Sequence, residues 1–133
     1  MLQIIKYFAK KLPVLIIAYD FLIKRYSDYK LKSMSTEKVF TAIYKSNAWG
    51  GEDSVSGPGS DLSQTKNIIK ELPLLFDDFS ISSMMDIPCG DFYWMSKMDL
   101  SSLSYLGGDI VEEMIQKNNY KYSKDNLGFK KLI

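Results

Sequence analysis

At 133 residues, with 46% apolar and 25% charged side chains, the chain has the make-up of one globular domain or part of one. Its net charge of +1 gives no overall basic field for nucleic acid, and its lack of histidine removes Ser–His and Cys–His nucleophile pairs, HExxH zinc sites and histidine acid–base work. The single cysteine, Cys89, excludes an internal disulfide and fits a reducing compartment such as the cytoplasm.

The chain opens on MLQIIKYFAKKLPVLIIAYDFLIKRY, and residues 1–32 carry seven Lys or Arg against two Asp. The unbroken apolar run, Leu12 to Tyr19, is far short of the ~20 residues that span a bilayer. There is no small-x-small cleavage site, and Asp20 interrupts the run, so a signal peptide is not expected. Residues 1–34 read as a basic amphipathic arm of two short helices broken near Pro13. Lys6, Lys10, Lys11, Lys24 and Arg25 beside Ile, Leu and Phe suit an anionic membrane surface or a partner, or the arm packs on its own domain.

Residues 35–133 form the body. Val39, Phe40, Ile43 and Tyr44 recur at helical spacing over 35–46. The segment NAWGGEDSVSGPGSD, 47–61, then breaks the pattern with four glycines and a proline and reads as a loop. Asp61 is placed to cap the next helix with Gln64 as its capping-box partner. Leu62, Thr65, Ile69 and Leu72 share one face of that helix, and Pro73 is expected to close it. Strands are expected over 83–87 and 104–110, a short helix over 92–98, a longer one over 111–122, and a third strand from Phe129. This order is the opening of an α/β fold: the first three strands of a Rossmann-like, doubly wound parallel sheet with N-terminal helices. Right-handed crossovers then bring the turns after both early strands to one carboxyl edge, where such folds bind ligands.

Two acids stand at the turn in MMDIPCGDFYWM, 84–95: Asp86 before Pro88, Cys89 and Gly90, and Asp91 after them. Asp109 follows Asp86 by 23 residues, the spacing at which an acid in this architecture accepts hydrogen bonds from a ribose. The ligand therefore contains a nucleoside. A dinucleotide needs GxGxxG amides for its pyrophosphate, whereas here Pro88 removes a donor and Asp86 and Asp91 repel phosphate. S-adenosylmethionine, with a sulfonium, an ammonium and no phosphate, suits an acidic corner. Cys89, with no histidine to activate it, reads as a structural thiol. Phe92, Tyr93 and Trp94 read as core, with stacking on a base as the sharper alternative. Glu112 and Glu113 suit a helix N-terminus and need no other role.

The run Asp86, Pro88, Cys89, Gly90, Asp91, Trp94 and Met95 resembles the first motif, D-x-P-C-G-D-x-x-W-M, of a bacterial subgroup of class I S-adenosylmethionine-dependent methyltransferases. Ile43-Tyr44, Asn47, Trp49-Gly50-Gly51, Ser56-Gly57 and Gly59-Ser60 resemble its upstream segment, and Tyr105-Leu106-Gly107 with Asp109-Ile110-Val111 its second motif. The likeness covers about residues 39–133. It implies that the backbone of Pro88, Cys89, Gly90 and Asp91 holds the methionine part of the cofactor, Asp109 the ribose, and Ile110 the adenine. It also implies that the loop carrying Trp49, Gly50, Gly57, Gly59 and Ser60 folds over cofactor or substrate. Chains of that family continue through further strands and a motif facing the methyl group. The resemblance therefore implies the N-terminal half of an enzyme, inactive alone, with an unknown acceptor and no metal. Two other readings stand beside it: a non-enzymatic adaptor or relic tethered through the basic arm, and a nicotinamide-dependent oxidoreductase fragment.

Overall fold

The structure, a computed structural model, describes Phe21, Leu22, Arg25 and residues 33–133. The expected break near Pro13, and the arm's membrane or partner contacts through its lysines, lie outside the described residues. The chain divides into two compact units, Met1–Ser35 and Thr36–Ile133, and the account below concerns the second. No helix among the described residues is long and apolar enough to cross a membrane.

The second unit is an α/β fold. Its helices are α1 (Thr36–Ser46), α2 (Leu62–Asp78) and α3 (Glu112–Tyr122), and its strands are β1 (Ser83–Asp86), β2 (Ser104–Asp109) and β3 (Leu127–Lys131). The strands form one parallel sheet in the order β1-β2-β3, the start of a Rossmann-like arrangement. Asp86 pairs with Gly107, and Asp109 with Lys131, so both acids stand at the same carboxyl edge.

Alternate residues of a strand face opposite sides of the sheet. Tyr105 and Gly107 of β2, with their register partners Leu127 and Phe129, face a core completed by Phe92, Leu103 and Ile115. The rings of Phe92, Tyr105 and Phe129 meet at centroid distances of 4.9, 5.0 and 5.8 Å, a tilted and edge-to-face cluster. Gly107 is glycine because the Phe129 ring fills its side-chain space: an added Cβ would lie 2.7 Å from Cδ1. Ile69, Leu72 and Phe76 of α2 pack on the same core. On the opposite face Met85 remains 66% exposed.

Four local expectations are corrected. Pro73 does not close α2, which runs on to Asp78. Proline denies a hydrogen bond to the carbonyl one turn back, but Leu72 and Phe76 on either side are held by the core. Of the short helix expected over 92–98, only a 3-10 helix, Met95–Lys97, forms; Phe92, at φ +57°, stands outside it. The third strand starts at Leu127, where paired 3.0 Å bonds between the backbones of Lys124 and Leu127 turn the chain into the sheet. Asp61 holds the N-cap position of α2, yet its carboxylate caps nothing there, and Gln64 reaches it only through its main-chain N–H to the Asp61 carbonyl. The first-turn N–H of Leu62 donates instead to Asp53 Oδ2 at 3.0 Å.

Candidate functional site

The turn that leaves β1 contains a cis Ile87–Pro88 bond and Gly90 at φ +58°. Each main-chain N–H from Cys89 to Asp91 has a partner inside the protein. Cys89 donates to the Gly108 carbonyl at 2.9 Å, Gly90 to Asp109 Oδ2 at 3.2 Å, and Asp91 to Ser56 Oγ at 2.9 Å. Pro88 has no N–H to give. The close seat of Ser56 is why position 90 carries no side chain: a Cβ there would lie 2.4 Å from Ser56 Oγ.

Asp109 joins the two turns. Its Oδ2 accepts from Gly90, its Oδ1 accepts from the Val111 N–H at 3.0 Å, and it is 5% exposed. Each oxygen can still accept a second hydrogen bond. Asp86, half-buried, accepts from the Tyr105 hydroxyl at 2.8 Å. Burial, and secondarily the charge of Asp109, raise the Asp86 carboxyl above its ordinary range, while the Tyr105 bond pulls it down. Burial first, then both acids, push the Cys89 thiol up to about 12, so it stays protonated and unreactive at neutral pH.

Asp91 works differently. Its carboxylate accepts from Ser54 Oγ at 2.9 and 3.0 Å, Ser56 Oγ at 3.2 Å, the Val55 N–H at 3.0 Å and the Tyr93 N–H at 3.2 Å. It latches the 54–56 segment onto the first turn. Asp61 gathers the other side of the loop, accepting from the N–H groups of Glu52, Asp53 and Ser54 at 3.1, 2.9 and 3.0 Å. These bonds hold its carboxyl below the ordinary range against the opposing effect of burial. Ser54, between the two acids, is 1% exposed.

A cavity of about 410 Å³ opens at this edge, within the size range of small-molecule sites. Of the residues expected at the site, Asp86, Pro88, Cys89, Gly90, Asp91, Asp109, Ile110, Trp49 and Ser60 line it. Gly50, Gly57 and Gly59 do not; Gly50 and Gly57 take positive φ values of 68° and 104° and serve the loop's path. The cavity also recruits Phe40 and Tyr44 from α1, Val55 and Ser56 from the loop, Trp94, and Val111 and Met114 at the start of α3. The i, i+4 spacing of Phe40 and Tyr44 signalled a shared face but not what that face covers. Phe40 and Trp49 meet edge to face at 5.9 Å beside the cavity. Among the described residues, three carboxylates line the space and no Lys or Arg does. Among the described residues, no group of three or more metal-ligating side chains is placed to hold an ion.

Comparison of the chain with protein-family models, with curated proteins and with solved structures finds no match in any of the three.

Proposed function

We propose that the carboxyl edge of this sheet binds S-adenosylmethionine, and that the chain is the cofactor-binding part of a class I methyltransferase. One observation carries this reading: a nucleoside-sized cavity lined, among the described residues, by three carboxylates and no cation, beside a turn whose amides are already spent. At an effective dielectric of about 20, a unit cation ~4 Å from a carboxylate gains roughly 4 kcal/mol, and a phosphate loses as much. A nicotinamide cofactor would need free turn amides for its pyrophosphate, and Cys89, Gly90 and Asp91 have none to offer. The methionine part is therefore held through turn carbonyls and Asp86, not through turn N–H groups.

In this reading Asp109 accepts from ribose hydroxyls with the lone pairs left after Gly90 and Val111 are served. Asp86 faces positive charge, and Ile110 and Val111 supply an apolar wall for the base. When bound, the cofactor supplies a methyl group activated by the sulfonium for in-line displacement by an oxygen or nitrogen nucleophile. The chain's contribution is alignment and a charge-matched wall.

Calorimetric titration with S-adenosylmethionine tests the reading. The expected result is saturable 1:1 binding, weakened about tenfold in Asp86→Asn, a change that keeps shape and removes one charge. Equal affinity in wild type and Asp86→Asn would overturn it.

A further inference from the structure

Tyr105 is 3% exposed, and its ring packs against those of Phe92 and Phe129. Both neighbours are phenylalanines, and packing asks nothing of position 105 that a third phenylalanine would not supply. The hydroxyl is the exception. A buried hydroxyl destabilises a fold unless it is bonded. Among the described residues this one has a single partner, Asp86 Oδ2 at 2.8 Å.

The strand register explains the reach. Met84 is paired with Tyr105, and Asp86 with Gly107. Tyr105 and Asp86 thus stand on one face of the sheet, and the phenol runs along it toward the carboxyl edge. Asp86 lines the cavity and Tyr105 does not. The phenol therefore acts on the carboxylate from the core side, away from anything that enters. Its bond occupies Oδ2 and leaves Oδ1 with its full acceptor capacity.

The other titratable groups near Asp86 cannot take the phenol's part. Asp109, at the end of β2, is a like charge. Cys89, in the turn, stays a protonated thiol whose Sγ lies 3.5 Å from the Gly90 carbonyl. Asp91, across the same cavity, is a third acid, and no Lys or Arg among the described residues lines the space. Tyr105 is thus the donor that favours the ionised Asp86 against burial and like charge. Burial first, and then Asp86, push the phenol itself above its ordinary range, so it remains a donor.

We propose that Tyr105 is a positioning residue: its hydroxyl fixes the Asp86 carboxylate with one oxygen left for the cavity and holds it ionised for a cationic ligand. The inference deepens the cofactor reading and rests on it for the identity of the cation; the bond between Tyr105 and Asp86 stands without it.

The test compares the full chain with Tyr105→Phe, which keeps the ring and removes only the hydroxyl. Carboxyl-carbon NMR titration, with no ligand present, should place the Asp86 midpoint at higher pH in the variant and leave the Asp61 midpoint unmoved. Calorimetry with S-adenosylmethionine across pH reads the consequence. Affinity falls as acid protonates Asp86, and in Tyr105→Phe that fall begins at higher pH, with the plateau affinity weakened about threefold or more. A tyrosine that served packing alone would leave the acid limb of binding where it stands in wild type. An unmoved Asp86 midpoint, or an acid limb at the same pH in both proteins, would overturn the proposal. If Tyr105→Phe does not fold, wild type decides: the Tyr105 Cζ resonance should titrate with the Asp86 midpoint, and a resonance that ignores it overturns the proposal. Absence of S-adenosylmethionine binding to wild type at every pH would sink the cofactor reading, and the ligand-free titration then decides Tyr105 by itself.

Discussion

Four aspartates surround the carboxyl edge, and they divide into two regions with different work. Asp61 and Asp91 face the 51–61 loop and spend their oxygens on its N–H and O–H groups. Asp86 and Asp109 stand at the strand ends and line the cavity with acceptor capacity remaining. The same side chain is a fastener in one place and, in the proposed function, a recognition group in the other. What separates them is the supply of donors: a tight glycine-rich loop brings many unpaired amides near one carboxylate, and a strand end brings few. A carboxylate saturated by fixed donors shapes a site, and one with spare lone pairs contacts what enters it.

The largest test of the difference is Asp91→Ala. It strands the Val55 N–H and two serine hydroxyls, and the protein should lose about 2–4 kcal/mol in urea unfolding. A loss under 1 kcal/mol, by the same scale, would deny Asp91 its fastening role. Next comes Gly90→Ala, which meets Ser56 Oγ and must hold a left-handed φ; about 2 kcal/mol of destabilisation is expected from the same unfolding curves.

A smaller effect distinguishes the cavity acids by pH. The Asp86 carboxyl is raised in the folded state, chiefly by burial, so the folded protein holds that proton more tightly than the unfolded chain. Its contribution to stability is fully present below the unfolded carboxyl range and is lost as pH rises through the folded value. Asp86→Asn should flatten that decline and leave the protein slightly more stable than wild type near neutrality, measured as urea midpoints across pH. Asp61 runs the other way: its carboxyl is lowered, so its contribution is present above the unfolded range and lost as pH falls through the folded value. Smallest of all, Lys45→Met removes an exposed ion pair with Glu113 and should change stability by no more than about 0.5 kcal/mol.

Much of this arrangement was readable in the sequence. β1 and β2 end at the two acids because short β-prone runs stop at the Pro-Cys-Gly turn and at Asp109, and the parallel order follows from the strand–turn–helix succession. The meeting of Asp86 and Asp109 at one edge came from topology. What could not be read were the partners. Asp61 has the local context of a helix cap, and only the loop's path brings three amides to it from seven to nine residues upstream. Asp91 lines the cavity as its place in the turn suggested, but its second task, fastening Ser54 and Ser56 across about 35 residues of chain, leaves no periodic trace. Pro73 looked terminal because its local cost is visible in sequence, and the core contacts of Leu72 and Phe76 that offset it are not.

The central claim is that this edge receives a positively charged adenosyl compound and refuses a phosphate-bearing one. Side-by-side calorimetry of the full chain with S-adenosylmethionine, S-adenosylhomocysteine and NADH tests it most directly. The account predicts saturable binding of the first, weaker binding of the second, which lacks the sulfonium charge, and none of the third. NADH binding as tightly as S-adenosylmethionine would contradict it.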